Sequence, residues 1–267
     1  MSARAISTLL GHHARRHFVA LLPMAAGLAL FELLLTRIAP APDETSWIAS
    51  MLAAAPPELL AVIGNDVAAG SPAGFLAIGY GHPFFFLILS AWTVRVSCGA
   101  LAGEIGRGTM DLLAARPVAR WVHIVAGALA VMAGLAVLTA AALTGTGAGL
   151  AVRPLGLSAS HFLPVAAMAW LLFTAFGAAG LLVSATRREG GAAIGWLSGV
   201  IATSFVLEYL ARLWKPMAAL RPWSLFTYYN PQQILKTGLG PLDIATLAGV
   251  TVTALVAAAV LFGRRDL

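Results

Sequence analysis

The side chains able to do chemistry in this chain are few, and most of them share one stretch. Gly103–Trp121 reads GEIGRGTMDLLAARPVARW. As a helix from Glu104 to Ala115 it puts Ile105, Thr109, Leu112 and Leu113 on one face, with Met110 at the flank. Glu104, Arg107, Gly108 and Asp111 take the other face. Glu104–Arg107 is an i,i+3 pair and Arg107–Asp111 an i,i+4 pair, so the polar face is matched in charge. Pro117 ends the helix, because proline cannot continue one and disfavours helical backbone in the residue before it. The chemistry implied is docking. A short two-faced helix of this kind lies on a membrane surface and presents charge to a soluble partner.

Catalytic chemistry finds less support. No Gly-x-x-x-x-Gly-Lys-Ser/Thr segment exists, and Lys215 and Lys236 are the only lysines. The chain is therefore no ordinary nucleotide hydrolase and needs no cofactor of its own. Cys98 is the single cysteine, which rules out an internal disulfide and a thiolate metal cluster. His13 and His17 are four apart, a metal-compatible spacing, but the neighbouring His12 falls on another helical face and no third ligand shares theirs nearby. Glu32, Arg95 and Glu208 fall within long apolar runs. A charge at bilayer centre costs about 2.5–3.5 kcal/mol, so Glu32 and Arg95 are expected to face protein or a water-filled transport path. Glu32 lies about 14 residues from one end of its run and Arg95 about 7 from the corresponding end of the next, an axial offset of about 10 Å. A direct ion pair across that offset is at the limit of reach. An intramembrane enzyme acting on lipid or peptide would need a nucleophile–base or metal set at one depth, and these three groups make none. A secondary transporter would show internal repeats and paired broken helices, and no convincing repeat is visible.

The elements that position these residues follow from composition. The chain has 267 residues, 60% hydrophobic and only 10% charged, against about 25% charged for soluble domains. Apolar runs of about 20 residues or more mark helices long enough to cross a bilayer. The expected spans are 18–36, 83–102, 122–150, 162–186, 190–211 and 242–262, within one transmembrane domain covering 1–267. Residues 1–17, with Arg4, Arg15 and Arg16 and no acid, read as an interfacial helix. A cleavable signal peptide is the rival reading of the first run, which is long for one and contains Glu32. The loop 37–82 is split by Pro56-Pro57 and is either two half-helices against the outer leaflet or irregular; the sequence leaves both open. Gly191, Gly195 and Gly199 form a stripe of small residues that permits close helix approach. Its partner is a second copy of the chain or a neighbour in the same copy. Thr144–Gly149 is glycine-rich but lacks the strand and the Gly-Lys-Ser/Thr of a phosphate loop. The segment 212–243, with Trp214, Trp223, Phe226, Tyr228 and Tyr229, is expected at the outer headgroup level.

Orientation follows from arginine. With six spans and both ends inside, Arg4, Arg15, Arg16, Arg107, Arg116, Arg120, Arg187, Arg188, Arg264 and Arg265 lie in the cytoplasm. Arg37, Arg153, Arg212, Lys215, Arg221 and Lys236 lie outside, mostly in the long last segment that the positive-inside rule counts least. The net charge of +6 is thus a topology signal and not a nucleic-acid footprint.

The stretch after the second span resembles a known family. The pattern Gly-Glu-x-x-x-Gly-Thr-x-x-x-Leu-Leu-x-x-Pro-x-x-Arg is carried by Gly103, Glu104, Gly108, Thr109, Leu113, Pro117 and Arg120, with Ala114 in place of the second leucine. It is similar to the coupling-helix segment of ABC exporter permeases of type 2 (type V). Asn230-Pro231 matches an Asn-Pro common before the last span there, where a re-entrant segment sits. The resemblance implies an all-α polytopic permease with six transmembrane helices, an N-terminal interfacial helix, a cytoplasmic coupling helix and an outer re-entrant segment. It implies a homodimer bound to two copies of an ABC ATPase subunit, with ATP and Mg on those subunits, in the inner membrane of a bacterium. Glu104, Arg107, Thr109, Asp111 and Arg116 would couple to the ATPase. The largely apolar spans favour a hydrophobic substrate moving outward.

Overall fold

A computed structural model describes residues 2–40, 50, 54, 71–110 and 118–265. Among them there is no strand, and six helical stretches are long and apolar enough to span a membrane: Arg15–Ile38, Pro72–Ala100, Trp121–Val152, Ala159–Thr186, Gly190–Leu213 and Pro241–Gly263. The all-α, six-span expectation holds. Asp111, Arg116 and the Pro56-Pro57 region lie outside the described residues.

Helix α1 runs unbroken over Ser2–Ile38. The stretch 1–17, expected at the interface, is continuous with the first span: nothing before Pro23 breaks a helix, and the helix continues through Pro23. Part of its apolar face packs on protein. Leu10 touches the main core, His13 and His17 are buried, and the His17 ring meets Trp92 edge-on.

The second span begins earlier than the sequence suggests. Helix α2 (Pro72–Gly81) leads into α3 (Pro83–Ala100) across His82. Each starts on a proline, which has no N–H to leave unsatisfied at a helix start. Ser71 caps α2 by accepting from Gly74 N–H, and His82 Nδ1 caps α3 by accepting from Phe84 N–H. Leu76 and Tyr80 of α2 are fully buried, so residues assigned to an outer loop belong to the core.

Over its described part the coupling helix expected at Glu104–Ala115 is interrupted: the short α4 (Ala102–Gly106) ends, and helical backbone resumes at Met110. The end of α4 is a Schellman motif. Gly108 takes φ +67°, its N–H reaches Ile105 O, and Thr109 N–H reaches Glu104 O at 3.1 Å. This left-handed backbone suits glycine and closes the helix one turn after Glu104.

Beyond it, α5 (Trp121–Val152) carries the Thr144–Gly149 cluster as ordinary helix. Its role is close packing: a Cβ on Gly145 would stand 2.1 Å from the Ala29 carbonyl oxygen of α1. Helices α6 (Leu163–Thr186) and α7 (Gly190–Leu213) follow, joined by a short turn. The segment before the last span folds as two 3₁₀ stretches, Lys215–Trp223 and Leu225–Tyr228, and then α8 (Pro231–Thr237). Its aromatics divide. Trp214 and Trp223 are exposed, as headgroup-level residues should be, while Phe226 and Tyr229 enter the core. Helix α9 (Pro241–Gly263) closes the bundle against α6.

Candidate functional site

At one end of the bundle the sequence-picked carboxylate is buried instead of displayed. Glu104 is 4% exposed. Its carboxylate accepts from Arg107 Nη2 at 2.9 Å, from Arg16 Nη1 of α1 and from the Thr109 hydroxyl. The expected Glu104–Arg107 pair is present, but it faces α1, not open solvent. Arg16 was not singled out as its partner, because it lies 88 residues away in sequence. The α4 turn is fixed on two further sides. Ser184 Oγ of α6 accepts from Ala102 N–H at 2.8 Å and donates to Cys98 O at 3.2 Å. A Cβ on Gly190, the first residue of α7, would stand 3.2 Å from Gly103 Cα. The α4 turn is thus in contact with both the end of α3 and the start of α7.

Helices α3 and α7 form the walls of a cavity of about 980 Å³. Arg16, His17, Arg95, Arg107 and Glu189 line it towards the Glu104 end. At the far end stand Phe86, Phe205 and Phe226. Their ring centroids lie 5.1 Å (Phe86–Phe226), 5.5 Å (Phe205–Phe226) and 6.0 Å (Phe86–Phe205) apart, distances at which aromatic pairs attract. The same three rings and Pro83 border a second cavity of about 290 Å³, which also meets Glu208, Arg212, Tyr229 and Asn230. The two cavities meet at the phenylalanine cluster, whose rings line both.

Arg95 borders the larger cavity, between α3 and α7. Its Nε donates to His17 Nδ1 at 3.2 Å. Glu32 is elsewhere: fully buried between α1 and α2, against Gly79, where a Cβ would stand 2.5 Å from Glu32 Oε2. Neither carboxyl oxygen has a hydrogen-bond partner among the described residues, and Glu32 lines neither cavity. The Glu32–Arg95 ion pair, at the limit of reach on helical rise, does not form.

Glu208 was noted in the sequence only as an ionisable group near the end of its span. It is 5% exposed and accepts from Arg212 Nε at 2.9 Å, from Arg221 Nη2 at 3.0 Å and from the Thr227 hydroxyl. One carboxylate thereby pins the segment 215–228 onto α7, beside the smaller cavity. Glu208→Ala should free that segment. Amide exchange across Lys215–Tyr228 is expected to accelerate, with stability falling by about 1–3 kcal/mol once the partial exposure of both guanidinium groups is allowed for. Unchanged exchange protection in that segment would refute this anchoring role.

Gly191, Gly195 and Gly199 share a face of α7, and a Cβ on any of them meets nothing within 4 Å. Packing of the stripe against a neighbour in the same copy is therefore excluded among the described residues. Ile194, Trp196 and Val200, interleaved with the glycines, are exposed large apolar side chains.

Six apolar helices, a buried charged turn at one end and a cavity between two spans define a polytopic membrane protein. Its family follows from comparison. The family described as ABC-2 family transporter protein matches residues 17–267, and the chain belongs to that family. It is a transmembrane permease component of an ABC transporter and not itself the ATPase. Comparison with individual curated proteins gives no match.

Proposed function

We propose that the chain is the permease of an ATP-driven exporter that moves a hydrophobic substrate out of the cytoplasm of a bacterium across the inner membrane. Two copies work with two ATPase subunits, which hold ATP and Mg. The Glu104 end faces the cytoplasm, as the arginine distribution favours. The observation that carries this reading is the wedge position of α4, in contact with the end of α3 and the start of α7, the two walls of the larger cavity. When the ATPase pair closes on ATP, the segment from Glu104 through Thr109, Asp111 and Arg116 moves with it. The walls then part beyond Phe86, Phe205 and Phe226, and the cavity is exposed outward, a rocking of packed elements. Arg107 is suited to the docking surface, since its side chain is 46% exposed while bridging to Glu104.

The test is reconstitution with the cognate ATPase subunit. Arg107→Ala is expected to insert and fold normally, yet to lower transport-coupled ATP turnover about fivefold or more, the scale of coupling free energies between sites. A permease that retains no ATPase subunit on purification, or normal coupled turnover in both Arg107→Ala and Asp111→Ala, would overturn the proposal.

A further inference from the structure

We propose that the larger cavity takes an anionic amphiphile, with an acidic headgroup on Arg95 and an apolar chain reaching the Phe86–Phe205–Phe226 cluster. This names a substrate class and rests on the export reading above.

The charges around the cavity decide the headgroup. Arg16 and Arg107 both bridge to Glu104. Glu189 sits at the mouth, at the start of α7. Arg95 lies deeper, on α3, exposed to the cavity and without an ion pair among the described residues. His17 offers it Nδ1 as an acceptor, so that nitrogen carries no proton and does not neutralise the guanidinium. The opposite wall contributes Ile194, Ser198, Ile201 and Ala202, none of them acidic. A guanidinium left unmatched within a membrane span is unfavourable, and its planar fork fits a carboxylate or phosphate. A cationic headgroup would meet repulsion here, and a wholly apolar molecule would leave Arg95 without a counter-charge.

The other end decides the tail. Arg95 stands nine helical steps from Phe86 on α3, about 14 Å along the axis. Over that length the α3 wall is Phe86, Leu87, Ala91 and Val94, broken only by Ser90. The cavity of about 980 Å³ is at the upper end of ordinary ligand sites. The geometry therefore orients its occupant: charge at the Glu104 end, apolar end against the aromatic cluster where the two cavities meet.

The experiment uses the full chain in discs of zwitterionic lipid, with empty discs subtracted. The probes are dansyl-undecanoate, its methyl ester and the corresponding amine. The carboxylate is expected to bind saturably and about tenfold tighter than ester or amine, the scale of one charge-assisted pairing. Arg95→Gln should erase that preference while leaving ester binding unchanged, and Arg95→Lys should keep most of it. Phe205→Ala should weaken carboxylate and ester alike. Adding phosphatidylglycerol to the discs separates the sources: displacement of the probe assigns the site to a bilayer lipid, retention to a single-chain solute, and both support an anionic amphiphile. Equal binding of the three probes to the wild-type chain would overturn the proposal. So would an Arg95→Gln variant that melts like wild type and keeps the preference. No ATPase subunit is present, so failure here leaves the export reading standing, and failure of coupling leaves this binding result intact.

Discussion

Glu104→Ala is expected to lower the stability of the purified chain by about 1–3 kcal/mol and, on the export reading, to weaken the proposed coupling to an ATPase subunit as a consequence. The carboxylate is buried and holds two arginines and a threonine. Removing one member of a buried ion pair costs about 3–5 kcal/mol, because the other is left without its partner. Here the Arg16 and Arg107 side chains are 30% and 46% exposed, so water recovers part of that loss. The effect has a pH signature. Burial raises the Glu104 carboxyl, but the Thr109 hydrogen bond and the Arg16 and Arg107 charges outweigh it and hold it below its ordinary 4.5. The stabilisation is present above about pH 4.5 and is lost as the pH falls towards the folded value. His13 adds an earlier step. Burial, with the neighbouring His12 and Arg16 charges, depresses it from 6.5 to about 4 against a weaker opposing pull from Glu104. Its contribution is full above 6.5 and is lost on acidification from 6.5 towards 4. Wild-type protein should therefore lose thermal stability in two stages as pH falls, and in Glu104→Ala the lower one should shrink to what the other ion-paired carboxylates contribute. Melting curves in detergent across both windows check this. Identical pH profiles for the two proteins would remove Glu104 from its structural role.

The physical kinds of information in the sequence account for what was legible. Spans read well because each is a continuous apolar run, and their ends fell within a few residues except where proline and glycine intervene. Pro72–Gly81 was missed because GSPAGFLAIGYGHP looks like a loop by composition, yet its two Pro-initiated starts with capping Ser71 and His82 are helix signals. The stop at Gly108 was also available, since glycine one residue past a helix end is the commonest way to close one. The amphipathic pattern drew attention away from it. Burial of Glu104 was not readable. A carboxylate on a helical polar face looks solvent-facing until Arg16, on another span, is seen beside it. The same holds for Arg95 on His17 and for Glu208 with Arg221 and Thr227. In each case the sequence supplied the residue, and only tertiary placement supplied the partner.

Gly195→Leu is expected to prevent assembly of two permease copies while leaving a single copy as stable as before. Within one copy the substitution meets open space: a Cβ at Gly195 has nothing within 4 Å. Leucine is also a better helix former than glycine by about 1 kcal/mol, so α7 itself should not suffer. The cost arises only where another helix approaches. Small residues four apart let backbones come close, and a leucine in the middle of Gly191, Gly195 and Gly199 holds them apart. Gly249→Leu on α9 is the matched control, because its Cβ also has open space but lies on another helix. Assembly is read by disulfide cross-linking from Gly199→Cys, with little background since the native Cys98 is buried. Cross-linked dimer is expected from Gly199→Cys alone and from the Gly249→Leu combination, and its loss in the Gly195→Leu combination. If Gly195→Leu assembles and transports like the parent, the stripe faces lipid and the proposed seam between copies is refuted at this face.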